Sequence, residues 1–176
     1  MFIIWTGVVM KSKRTVLFIT VSLVVIVAVA MTAFIGHWVV WRERIVPFKC
    51  TFFTHYDFGK NQSDLTFSVT QDMRFYSKES GYVIFNGKVT INGETKKLNR
   101  SLLLSDGVFL QGKTISYHIK DMKKSILDDT PDNVFKMLLG EYTFNPETFQ
   151  IDIFPLDKKS YIVGGPYSFT SSCIRY

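Results

Sequence analysis

Hydrophobic and polar positions along this chain follow two different rhythms. From Thr15 to Ile35 no side chain is charged, and the apolar run, preceded by Lys11, Lys13 and Arg14, continues through Trp38-Val39-Val40-Trp41 to Arg42. As a helix, the 21 residues from Thr15 to Ile35 span roughly 32 Å, enough to cross the ~30 Å hydrocarbon core of a bilayer once. Val21, Val24, Val25 and Val27 are poor helix formers in water. Lipid nevertheless imposes the helix, because every backbone donor there must be satisfied internally. The reading is one transmembrane helix over residues 15–41, with Trp38 and Trp41 as membrane-interface anchors at its end.

After Arg42 the period changes to two. Leu65, Phe67, Val69, Met73 and Phe75 alternate with polar residues, interrupted at Gln71-Asp72 by a bulge or bend. Tyr82 to Ile91 reads as the next strand, and Asn92-Gly93 as a type I′ turn into a return strand with Leu98, Arg100, Leu102 and Leu104 on one face. Asp106-Gly107 signals a second hairpin into Val108 to Leu110, and Lys113 to Met122 follows with Ile115, Tyr117 and Ile119 on one side and His118 on the other. Thr148 to Phe154, Ser160 to Val163 and Tyr167 to Ile174 complete the strands, the last two joined by Gly164-Gly165-Pro166. One segment has helical spacing: Thr130 as cap, Pro131 in the first position, Asp132 at the positive end of the dipole and Gly140 as a left-handed C′ residue. Its expected inward face is Val134, Met137 and Leu138, flanked by Phe135 and Leu139. The fold class is therefore mainly β: an N-terminal single transmembrane helix, then a small antiparallel β-barrel of about eight strands with one short helix, closed because closure removes open edges.

Charge sets the topology. The basic residues before the span (Lys11, Lys13, Arg14) nearly balance those after it (Arg42, Arg44, Lys49), but the tighter cluster comes first. That places residues 1–14 in the cytoplasm and residues 42–176 outside it as one β domain. Met10, followed by Lys-Ser-Lys-Arg and the apolar run, reads as the start site in preference to Met1. The competing reading is a signal peptide cleaved after Ala28-Val29-Ala30; the apolar residues Met31 to Trp41 beyond that site argue for a retained anchor. All 15 acidic residues lie in 42–176 with all but three of the 21 basic ones, so the domain carries only about +3. Lys96, Lys97 and Arg100, and Lys120, Lys123 and Lys124, are small clusters among acids, a solvated face rather than a nucleic-acid footprint.

The two cysteines, Cys50 and Cys173, sit near the two ends of this domain. A non-cytoplasmic compartment permits the single intramolecular pairing, and closing a loop of about 120 residues is worth roughly 4–5 kcal/mol in the chain-entropy model. Two buried free thiols are the alternative. No catalytic, cofactor-binding or metal-ligating arrangement emerges: His37, His55 and His118 lack metal-ligand spacing, and no nucleophile elbow or phosphate loop is present. Asp128, Asp129 and Asp132 precede or open the short helix, where carboxylates serve capping and dipole needs. Asn61-Gln62-Ser63 matches a glycosylation sequon and equally an ordinary polar loop.

Several local patterns, taken in order, resemble one family. Ser80-Gly81-Tyr82-Val83-Ile84-Phe85-Asn86-Gly87-Lys88-Val89, followed by Asn92-Gly93 and Leu98-Asn99-Arg100, resembles the central hairpin of the FidL-like membrane proteins of enteric bacteria. Asp129-Thr130-Pro131-Asp132-Asn133-Val134-Phe135 is similar to that family's short helix, Phe48-Lys49-Cys50 to its first cysteine motif, and Lys159 to Val163 with Pro166, Phe169 and Cys173 to its terminal block. Met1 to Val9 and the Ile174-Arg175-Tyr176 tail depart from it, the tail leaving the pairing of the last strand open.

The resemblance implies an inner-membrane accessory protein, similar in layout to ToxS, whose periplasmic domain is an open lipocalin-like barrel completed by its partner. That partner is a ToxR-type single-pass membrane regulator, and the pair holds a bile salt or other amphipathic ligand in a shared pocket. On this reading the chain contacts membrane lipid and its regulator but no nucleic acid. A self-sufficient lipid or bile-salt binding barrel is the second reading. An envelope hydrolase built around Asp128, Asp129 and His118 is the third, and it requires those groups to converge.

Overall fold

The computed structural model describes residues 5–42, 46–59, 64–110, 113–167 and 169–176, without the side chains of 5–15, 38–42 and 170. The sequon at Asn61-Gln62-Ser63 and the side chains of Trp38 and Trp41 lie outside the described residues. The chain divides into two compact units, Met1–Arg44 and Ile45–Tyr176.

The first unit is one helix, α1 (Trp5–Arg42), which begins ten residues before the apolar run predicts. Its segment Val16–His37 is long and apolar enough to cross a membrane, and every side chain in it is exposed. Its polar groups are hidden locally: the hydroxyls of Thr20 and Thr32 donate to the carbonyls of Leu17 and Val29 one turn back, at 2.9 Å each. The protein is thus anchored by a single N-terminal transmembrane helix, with an extramembrane domain after it.

That domain is a closed antiparallel barrel of eight strands among the described residues: β1 (Phe48–Asp57), β2 (Leu65–Phe75), β3 (Ser80–Ile91), β4 (Glu94–Phe109), β5 (Thr114–Lys124), β6 (Thr148–Pro155), β7 (Ser160–Gly164) and β8 (Phe169–Arg175). Each strand pairs with the next, and β8 returns to β1. Asn92 and Gly93 take φ of 51° and 86°, as the type I′ turn requires. In the interior of β3, Gly87 lies so close to β2 that a Cβ would collide with the Ser68 carbonyl, so the tight curvature there depends on a bare backbone.

Several local expectations are corrected. The residues Gln71-Asp72 do not interrupt β2; the register runs straight through, and Gln71 is a polar member of the buried inward row. Asp106-Gly107 makes a bulge inside β4 rather than a hairpin, with Asp106 at φ 52° and the register to β5 shifting between Ser105 and Val108. The short helix α2 (Asp132–Leu139) has Pro131, not Thr130, at its N-cap position, because the Thr130 hydroxyl is committed to the Lys97 carbonyl at 2.8 Å. Gly140 stays right-handed, at φ −55°, and the chain continues into a 3-10 turn, Gly140–Tyr142, that carries Tyr142 into the core. The buried stripe of α2 is Val134, Phe135, Leu138 and Leu139, while Met137 faces out. Tyr167 precedes β8 and stacks edge-on against Phe144.

Aromatic rings fill the interior as a continuous path. Phe48 lies 6.4 Å from Phe75, which stacks on Tyr117 at 5.3 Å and reaches Phe149 at 6.5 Å. From Phe149 the path passes to Tyr142 (5.2 Å), Phe85 (6.3 Å) and Phe135 (5.4 Å). Offset and edge contacts of this kind add to the large area each ring removes from water. The buried Tyr117 hydroxyl donates to the Ser77 carbonyl at 2.8 Å, and burial, with Glu79 nearby, raises its pKa above the ordinary tyrosine value.

The circuit closes on little pairing. Strands β1 and β8 share only Cys50 opposite Arg175 and Thr51 opposite Ile174, and the Cys50–Cys173 disulfide spans the same place with Cα atoms 5.7 Å apart. The resemblance implied a barrel left open for a partner; here one chain closes it, and the tail beyond the last cysteine does much of the closing. The Tyr176 amide donates to the Lys49 carbonyl at 3.3 Å, and its hydroxyl crosses to Asp72 on β2 at 2.7 Å. Burial pushes the Asp72 carboxyl up, but hydrogen bonds from Arg74 and Tyr176, with the Arg74 and Lys49 charges, outweigh it and hold the pKa below its ordinary value.

Replacing both cysteines by alanine is expected to cost roughly 4–5 kcal/mol in urea unfolding, the entropy of closing so long a loop. The Asp72 clasp contributes fully above the ordinary carboxylate pKa of about 4 and is lost as pH falls through the depressed folded value. Asp72→Asn is therefore expected to be less stable than the native chain at neutral pH, a deficit that disappears in acid.

Candidate partner interface

Asp128, Asp129 and Asp132 fall where β4 outruns its neighbour. Register between β4 and β5 ends at Arg100 opposite Lys124, so Glu94 to Asn99 needs another partner on that edge. The loop after β5 supplies it. Ser125 N donates to the Asn99 carbonyl (3.0 Å), Asp128 Oδ2 accepts from Asn99 N (2.8 Å), Asp129 Oδ1 accepts from Lys97 N, and the amides of Asp129 and Thr130 both donate to the Lys97 carbonyl (3.2 Å each). Carboxylates here stand in for the carbonyls of a missing strand.

Beneath this loop the inward row of β4 carries Arg100, 1% exposed. A buried guanidinium requires a full set of acceptors. Arg100 Nε donates to Asp128 Oδ2 at 3.1 Å, Nη2 to the Thr130 carbonyl at 2.5 Å, and Nη1 pairs with Asp132 at 2.8 Å, while the group lies 4.8 Å from the Phe135 ring centre. Arg100 thus ties β4 to the start of α2. The sequence placed Arg100 in the right row; the clue to its partners was the acidic pair Asp128-Asp129 just before the short helix α2.

The hydrolase arrangement does not assemble. His118 is exposed on β5, level with Ser105, five residues along β4 from Arg100 and so about 16 Å away by strand rise. Asp128 is meanwhile buried against Arg100. His55 is exposed on β1 and hydrogen-bonds Ser68 Oγ at 3.0 Å.

Two features relevant to ligands were not read from sequence. Gln71, fully buried, donates through Nε2 to Tyr56 Oη at 3.1 Å and to Thr54 Oγ1 at 3.4 Å, whereas its Oε1 has no hydrogen-bond partner among the described residues. Tyr56 Oη also meets Tyr142 Oη at 3.3 Å. Outside the barrel, Ile119, Met122, Leu139, Phe144 and Pro146 line a groove of about 260 Å³ with Lys136 at its side.

An aromatic face lies beside the seam. Phe154 on β6 pairs in register with Ile162, which pairs with Ser172, and Phe169 stacks edge-on against Phe154 at 5.4 Å. Carried two residues further, the β1–β8 register sets Phe53 level with Ser172. Phe53 and Phe169 are each more than 60% exposed, Ile174 is equally open, and the edge of β1 beyond Thr51 has no strand partner toward β8 among the described residues. Exposed rings grouped beside an unpaired strand edge are the mark of an interaction surface.

Arg100→Met is expected to cost about 3–5 kcal/mol, because Asp128 is left buried without its counter-charge. Asp128→Asn, which keeps an acceptor for Asn99 or Thr130, is expected to cost less; urea titrations of the two variants check the order.

No curated protein matches the chain. Residues 87–173, from Gly87 on β3 through Arg100, α2 and the aromatic strands β6–β8 to Cys173, match the family described as FidL-like putative membrane protein.

Proposed function

We propose that this protein is a non-enzymatic accessory factor whose barrel binds and stabilises the periplasmic sensory domain of a ToxR-type single-pass transcriptional regulator. The observation that carries the reading is the exposed face of Phe53, Phe154, Phe169 and Ile174 next to the β1–β8 seam. A membrane-anchored barrel whose interior is already packed with its own rings leaves these outward rings for another chain. Anchoring both proteins in one membrane raises their effective concentration, so even a modest interface is occupied. The free edge of β1 offers main-chain hydrogen bonds, and the rings beside it offer apolar area.

A second reading, an amphipathic ligand shared with the regulator or bound by this chain alone, is favoured by the groove beside α2. Its apolar lining and Lys136 suit a molecule with a hydrophobic body and an anionic group, as a bile salt has.

Full-length protein co-expressed with such a regulator is expected to co-purify with it from detergent-solubilised membranes. Phe154→Ser with Phe169→Ser is expected to abolish co-purification while leaving thermal unfolding nearly unchanged, because both rings are exposed. Failure of the native pair to associate, with both chains present in the membrane, removes the reading.

A further inference from the structure

The two ends of the barrel differ in charge. One end holds the start of β1, the turns at 76–79 and 156–159, the β4–β5 connection and the C-terminal residue. Its loops and strand tips carry Lys49, Lys78, Lys113, Lys158, Lys159 and Arg175 against Glu79, Asp106 and Asp157. Asp157 is already engaged, accepting from the amides of Lys159 (2.7 Å) and Ser160 (2.8 Å). The opposite end is mixed: Asp64, Glu94, Asp129, Asp132, Glu141 and Glu147 stand among Lys96, Lys97, Lys123, Lys124 and Lys136 in or beside its loops, with Lys96 paired to Glu94 and Lys124 to Asp132.

The basic end also exposes apolar tips. Leu156 stands 58% exposed two residues before Lys158, Leu110 is 43% exposed in the β4–β5 connection near Lys113, and Tyr76 is half exposed with Lys49 5.5 Å from its ring centre. Leucine tips flanked by lysines, with tyrosine beside them, match the chemistry of a bilayer interface: apolar groups for the acyl boundary, amphipathic rings at headgroup depth and cations for phosphate. This is also the end at which the chain enters the barrel, since β1 begins at Phe48, six residues after α1 ends at Arg42. A lipid surface is therefore the partner always at hand.

We propose that this end of the barrel docks on the bilayer surface, with Leu110 and Leu156 in the interface and Lys113, Lys158 and Lys159 on the headgroups of anionic phospholipids. Docking needs no regulator, so it is separable from the partner reading.

The test uses the full-length chain in nanodiscs of phosphatidylcholine with or without phosphatidylglycerol. An environment-sensitive fluorophore is attached at Leu156→Cys or, as a control at the far end, at Ile126→Cys, where the native side chain is 99% exposed. The native cysteines are joined and do not compete for label. Fluorescence at position 156 is expected to be blue-shifted and quenched severalfold more by acyl-chain spin-labelled lipid than at position 126, more strongly with phosphatidylglycerol. Lys158→Glu with Lys159→Glu is expected to cancel the phosphatidylglycerol effect. Equal quenching at the two positions overturns the docking, and quenching at 156 that ignores both phosphatidylglycerol and charge reversal overturns the role of anionic lipid.

Discussion

A meander of antiparallel strands has two free edges, and the domain exists as a barrel only because its first and last strands meet. That meeting rests on two residue pairs, one disulfide and a three-residue tail. Everything inside depends on it, because the ring path from Phe48 to Phe135 stays dry only while the wall is continuous. The disulfide restricts the unfolded chain, and the tail supplies in-register pairing that Cys173 alone does not. The same economy leaves the upper part of β1 without a strand on one side. The seam is thus both what completes the fold and where a strand edge with its neighbouring rings stays open.

A second constraint follows from unequal strand lengths. β4 is longer than β5, and a strand that outruns its neighbour leaves backbone groups to be satisfied. The loop from Ser125 to Thr130 meets that need with main-chain amides and two carboxylates, and this choice brings Asp128 inside. A buried carboxylate needs a counter-charge, and Arg100 sits in the inward row beneath it. Replacing both by hydrophobic residues would pack as well, since a buried ion pair is weak evidence of net stability. What the pair specifies is where α2 begins, because Arg100 also holds the Thr130 carbonyl and Asp132.

Sequence periodicity revealed the strands because one face of each is buried and a period of two cannot be imitated by chance over so many segments. It failed where tertiary demands overrode local preference. Gln71 reads as a break because a polar residue in a core row is exceptional; only its placement beside Tyr56 and Thr54 makes it tolerable. Asp106-Gly107 has the chemistry of a turn, and a bulge uses the same positive φ, so composition cannot separate them. Phe135 and Met137 exchanged roles because a short helix docks by the shape of its site, here beside Phe85 and under Arg100, not by its own pattern. The aromatic face was illegible for a related reason: alternation tells which residues share a face but not whether that face will be covered.

The distribution of apolar surface then sorts by place. Inside, rings contact rings and leave Gln71 Oε1 as a lone unpartnered acceptor among the described residues. At the basic end, apolar tips are single residues at turns beside lysines, suited to a fluid surface that needs no shape complementarity. Beside the seam, by contrast, Phe154 and Phe169 are held in a fixed edge-to-face geometry on paired strands, next to a row of strand-edge donors and acceptors with defined spacing. Fixed rings and a fixed hydrogen-bonding edge select a partner by geometry, which lipid cannot supply and a protein strand can. The two exposed surfaces therefore differ in kind: rigid, grouped rings beside a strand edge at the seam, and isolated apolar tips among lysines at the basic end.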